Sequence, residues 1–171
     1  MCWVMAVIKS VTRCYSTENM NYDDVDLTML RYITEPNKAI NGWCFAFGVY
    51  LSSPEFMAQQ FKIVRKVFHK ETGRILRHFI VSYSPQDNME AERAFRIAYN
   101  IALYYAGSYQ IVLAVHQDTK NVHTHFIMNT VSYIDGRKFS EGPVEFAKFL
   151  DYVKKQMPEL EFEVYDGDET D

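Results

Sequence analysis

The chain has 171 residues, 48% of them hydrophobic, a formal charge of −4 and three cysteines. That length suits one domain with a real core. Cys2, Cys14 and Cys44, odd in number and without a C-x-x-C pair, exclude a disulfide scaffold and a thiolate zinc site, and no stretch approaches the roughly 18 apolar residues of a membrane helix. No basic segment precedes the short apolar stretch at the start, so a soluble, unexported protein of a reducing cytoplasm is expected, without membrane insertion. Of the 22 acids, seven follow Pro158, leaving 15 against 18 bases, a net of +3, in residues 1–158. A mildly basic domain over residues 1–158 is therefore expected, with residues 159–171 as an acidic tail; the basic balance favours phosphate binding.

In chain order, residues 6–11 read as a first strand, followed by a loop through residues 14–21. Residues 22–34 carry apolar side chains at Tyr22, Val25, Met29 and Tyr32, a helical stripe with Asp23, Asp24 and Asp26 near its start, where acids favour the helix dipole. Pro36 stops this helix, so Tyr32 falls in its last turn, at the end of the stripe facing the sheet. Residues 43–51 read as a strand. Residues 55–70 read as a helix whose inner face is Phe56, Gln60, Ile63, Val64, Val67 and Phe68, with His69 a capping or surface residue. Residues 77–83 alternate as a third strand, with His78, Ile80 and Ser82 on one face. Residues 89–107 form a long helix with Ala91, Ala94, Phe95, Ala98, Ile101, Ala102 and Tyr105 as a close-packing face, and residues 143–156 a last amphipathic helix. Strands and helices in this order predict an α+β fold with helices packed on one sheet.

Between the last two helices lies the stretch the rest is organised around. Residues 109–115 and 126–133 are apolar, β-rich runs, and the polar segment 117–121 makes them the arms of a hairpin. His116 and His123 then become cross-strand neighbours, about 5 Å apart at Cβ. His123 and His125, two apart on one strand, project from the same face. Three imidazoles converging on one point suit a divalent metal, provided that the other ring nitrogen of each is held by an acceptor. Asp118, beside His116, is the candidate for that role, with general base as its alternative. Asn129 shares the face of His123 and His125, to contact a ligand or to satisfy backbone groups. Three imidazoles thermodynamically favour zinc or another late transition ion over magnesium.

The pattern H-x-D-x-x-x-x-H-x-H-x-x-x-N, carried by His116, Asp118, His123, His125 and Asn129, resembles the mobilisation relaxases of conjugative plasmids and transposons, within the HUH endonucleases. Residues 31–38 (RYITEPNK) resemble that family's first motif and residues 77–84 (RHFIVSYS) its middle motif; Ala39 stands where the family commonly has Thr, and Thr124 where the wider class prefers a hydrophobic residue. The resemblance implies a mainly antiparallel sheet with a ferredoxin-like core. It implies Tyr32 as a nucleophile that forms a 5′-phosphotyrosyl bond to DNA and frees a 3′-OH, with Tyr22 in reserve. Manganese or magnesium is the metal it favours. The implied partners are single-stranded or hairpin DNA at an origin of transfer, an accessory mobilisation protein and a type IV secretion coupling protein, in a bacterial cytoplasm. Lys38, Arg74, Arg77, His78, Asn129, Arg137 and Lys138 are the candidate DNA contacts, with Trp43, Phe45 and Tyr133 as either stacking platforms or core. Two other readings remain: a hydrolase in which the same three histidines activate water, and a non-catalytic origin-binding module.

Overall fold

The apolar run of residues 111–115 builds the middle of a six-stranded sheet in the computed structural model, which describes residues 5–16 and 24–166. Strand β4 (Ile111–His116) is buried along its whole length, as a central strand covered on both faces must be. It pairs antiparallel with β5 (His123–Asn129) in the register His116 opposite His123. On the far side of β5 lies β3 (Arg74–Tyr83), then β1 (Met5–Ser16); β2 (Cys44–Phe47) lines the other edge of β4. Strand β6 (Glu161–Asp166) closes the order β2-β4-β5-β3-β1-β6 and runs parallel to β1, whereas the other neighbouring pairs are antiparallel.

Period-two alternation sorts each central strand onto two cores. Helices α3 (Ala91–Ala106) and α4 (Pro143–Gln156) cover one face, packing on Phe79, Val81, Leu113, Val115, Phe126 and Met128. Ala94, Ala98 and Ala102 are fully buried and let α3 sit close on the sheet. Helices α1 (Val25–Ile33) and α2 (Pro54–Val67) cover the other face, over Leu76, Val112, Ala114 and Ile127. Among the described residues no helix is long and apolar enough to cross a membrane.

Four expectations need correction. Helix α1 starts at Val25, capped by Asp24, whose side chain accepts from Leu27 N–H at 3.1 Å; Tyr22 lies outside the described residues, as do residues 17–21 of the expected loop. Cys14, placed in that loop, instead lies within β1. Helix α2 is turned about its axis from the expected face: Met57, Ala58, Phe61 and Arg65 are buried, and Phe56, Ile63 and Val67 are exposed. Arg65, absent from the expected inner face, lies inside and ion-pairs there with Asp26 of α1. The acidic tail is the fourth. Residues 161–166 form β6, with Leu160 buried, Phe162 packed on the α3–α4 core and Glu161 and Glu163 exposed. The alternation of acid and apolar residues suits a charged edge strand. Residues 167–171 lie outside the described residues.

Candidate metal centre

Helix α1 brings Tyr32 to the sheet. Leu30 and Ile33 anchor its inner side in the core, and Thr34 closes it, N–H to Leu30 O at 3.1 Å. The carbonyls of a helix's last turn lack intrahelical partners. One of them, Ile33 O, accepts from His116 Nε2–H at 2.8 Å. This bond ties the end of α1 to the end of β4, so the residue beside Ile33 lies over the hairpin. The Tyr32 ring stands edge-on to His116 and His125, with centroids 5.8 and 5.4 Å apart. After α1 the chain turns through Glu35 to Lys38, where Lys38 O accepts from Gln117 N–H at 3.0 Å and Lys38 Nζ lies 3.9 Å from the Tyr32 ring centroid.

His116, His123 and His125 each offer one ring nitrogen to a common point, and these nitrogens lie within 4.8 Å of one another. In each ring the other nitrogen is engaged. His123 Nδ1–H donates to Asn121 O at 2.8 Å, and His125 Nδ1 lies 2.8 Å from His78 Nε2. A carbonyl only accepts, so His116 carries its proton on Nε2 and His123 on Nδ1. That leaves lone pairs on His116 Nδ1 and His123 Nε2. His116 Nδ1 and His125 Nε2 are buried with no hydrogen-bond partner. Two orphaned acceptors beside a third, in rings locked from behind, fit a divalent cation.

The surroundings of His116, His125 and His78 favour the neutral ring. Burial first, then the neighbouring histidines and Lys38, hold His125 well below the ordinary imidazole value; burial likewise lowers His116, against the opposing pull of the Ile33 carbonyl. Burial, with His116, pushes His78 down to about 3. Unprotonated imidazole is the form that ligates a metal.

The other expected site residues separate. Asp118 is exposed in the hairpin turn, and the second ring nitrogens are held by Ile33, Asn121 and His78 instead, which corrects its expected orienting role. His78 is buried behind His125 and does not present itself to a phosphate. Arg77 points to the opposite face, 1% exposed, paired with Glu141 and set among the rings of Phe79, Tyr105, Phe139 and Phe149 at 4.8–5.1 Å. Its neighbour's alternation decides this, since His78 takes the α1–α2 face. Asn129 is fully buried and spent internally: Nδ2 donates to Phe61 O and Gln110 Oε1, and Oδ1 accepts from Arg65. Arg74 and Lys138 lie near that far end of β5, about 13 Å along the strand from His125 at four residues' rise. Lys138 is held by Thr72 O, and Arg137 pairs with Asp135. Trp43, Phe45 and Phe47 pack towards Phe95 and Tyr99 of α3, and Tyr133 Oη donates to Ala106 O at 2.7 Å. Ala39 and Thr124 are buried. Asp26 and Arg65, which join α1 to α2 and Asn129, were missed; an acid on the buried side of α1's first turn was the available signal.

A family model described as the nuclease domain of MobA/VirD2-like relaxases matches residues 32–158. The group II intron-interrupted relaxase LtrB of Lactococcus lactis subsp. cremoris is 26% identical over 145 aligned positions, covering 71% of this chain and 26% of that protein. A protein rlx of Staphylococcus aureus is 26% identical over 88 positions, covering 52% of this chain and 26% of its own length. The chain thus spans about a quarter of the length of these curated relatives.

Proposed function

The chain belongs to the family of MobA/VirD2-like relaxase nuclease domains, and on that premise we propose that it nicks one DNA strand at an origin of transfer with Tyr32 as nucleophile. The observation that carries this reading is the Tyr32 ring seated against His116 and His125. Its hydroxyl attacks the scissile phosphorus, a Tyr–O–P bond forms to the 5′ side, and the P–O3′ bond breaks. The phenolic proton leaves to solvent and the 3′-oxygen takes one up, so the step is a balanced transesterification that conserves the phosphoester and reverses to rejoin the strand. His116 Nδ1, His123 Nε2 and His125 Nε2 would hold the divalent ion, manganese or magnesium with zinc as the alternative, which supplies Lewis-acid charge to a non-bridging phosphate oxygen. Lys38 carries its ammonium over the Tyr32 ring, where it favours the developing phenolate and the incoming phosphate. Single-stranded or hairpin origin DNA is the proposed substrate, in a bacterial cytoplasm, with an accessory mobilisation protein and a secretion coupling protein as partners.

The test is incubation with labelled single-stranded origin oligonucleotides, with manganese, magnesium or a chelator, on a denaturing protein gel. A metal-dependent, covalently shifted band that is lost in Tyr32→Phe is expected. Cleavage without a protein-linked product would replace this mechanism with water activation by the three histidines. Binding without either product would leave an origin-binding module.

A further inference from the structure

The three rings of the centre are oriented by different kinds of group, and the difference follows from where each sits on the sheet. His116 ends β4 and is reached by the carbonyl that terminates α1; His123 begins β5 and uses the loop carbonyl of Asn121. His125 lies inside β5, paired on one side with Ala114 and on the other with Ile80. In such a position the neighbouring backbone carbonyls point along the sheet into ladder bonds, and none rises from the face where the ring stands. The partner of His125 is instead a side chain on the same face of the adjacent strand β3. Of β3's residues on that face, Ile80 lies opposite His125, and His78 and Ser82 lie diagonally to either side; of these two polar residues His78 meets the ring, its Nε2 2.8 Å from His125 Nδ1, with ring centroids 5.1 Å apart and planes 27° apart.

We propose that His78 is the positioning residue of the metal centre: its Nε2 accepts the Nδ1–H of His125, and so aims the His125 Nε2 lone pair at the point shared with His116 and His123. The inference rests on the metal-centre reading above. The opposite direction of the bond would put the His125 proton on Nε2, a buried atom that makes no hydrogen bond in the structure, and would turn a donor instead of a lone pair toward the shared point. His78 therefore carries its own proton on Nδ1. All three ligands are then backed by neutral groups, two carbonyls and an imidazole, with no carboxylate. A neutral setting leaves the cation's full charge directed at a phosphate oxygen, whereas a carboxylate partner would offset part of it.

Two variants separate orientation from packing. His78→Gln keeps a neutral acceptor near the position of Nε2; His78→Leu keeps bulk and removes it. Imidazole nitrogen NMR on the metal-free chain should show His125 as the Nδ1–H tautomer in the wild type and in His78→Gln, shifting to Nε2–H in His78→Leu. Calorimetric titration with Mn²⁺ alone should show affinity about 10–100-fold weaker in His78→Leu and within about threefold of wild type in His78→Gln. An Nε2–H tautomer of His125 in the wild type would overturn the proposal, as would wild-type Mn²⁺ affinity in His78→Leu. If His125's tautomer follows His78 as described but the wild type takes up no Mn²⁺, the orienting contact stands and the metal-centre reading falls.

Discussion

Replacing Arg65 with Met tests whether helix α1 is held to the sheet by a buried charge. Arg65 is 3% and Asp26 2% exposed, and the guanidinium bridges Asp26 on α1 to Asn129 Oδ1 on β5, at 3.2 Å for the latter. Without it Asp26 either stays charged in the core or takes up a proton. Protonation is the cheaper course. From the ordinary carboxyl value of 3.8, holding the proton at pH 7 costs about 4 kcal/mol at about 1.4 kcal/mol per pH unit. The lost bond to Asn129 adds about 1 kcal/mol. The deficit is thus about 5 kcal/mol at pH 7, a large share of the 5–15 kcal/mol roughly available to a domain. The sign follows from linkage. The variant's folded state binds a proton that the unfolded chain releases above pH 3.8, so its stability falls as pH rises, and at pH 5 the deficit narrows to about 3 kcal/mol. Urea unfolding of wild type, Arg65→Met and Arg65→Met/Asp26→Asn at both pH values reads this directly, with the double variant recovering most of the loss at pH 7. A deficit equal at the two pH values, or below about 1 kcal/mol, would refute a dry ion pair at this position.

The rotation of α2 has an opposite signature for neighbouring residues: Ile63→Lys should change unfolding free energy by no more than about 0.5 kcal/mol, whereas Phe61→Ala should cost about 3–5 kcal/mol, measured by urea denaturation. An Ile63→Lys loss above about 2 kcal/mol would return that residue to the core. Lys38→Ala should slow formation of the covalent adduct about tenfold, the equivalent of about 1.4 kcal/mol for a cation lying over the Tyr32 ring, with the thermal midpoint little changed. An unchanged single-turnover rate would remove Lys38 from the reaction.

The sequence alone determined the features that depend on local period. Alternation and a short polar turn place His116, His123 and His125 on one face of one hairpin, and the small-residue stripe of α3 identifies its buried side, because both relations lie within a single hairpin or helix and need no knowledge of neighbours. The alternation of Leu160 to Val164 was equally legible as a strand and was masked by its charge. Tertiary structure decided what backs two of the three ligands. His116 is held by a carbonyl 83 residues away and His125 by a ring 47 residues away, and both contacts depend on β3 lying beside β5 and on α1 ending over β4. Strand order is not written in period. The same holds for polar burial: Arg65 and Arg77 look outward by residue type, yet each lies inside because Asp26 and Asn129, or Glu141 and four aromatic rings, supply there what water supplies at the surface. Those partners come from separate elements, and only the packed chain brings them together.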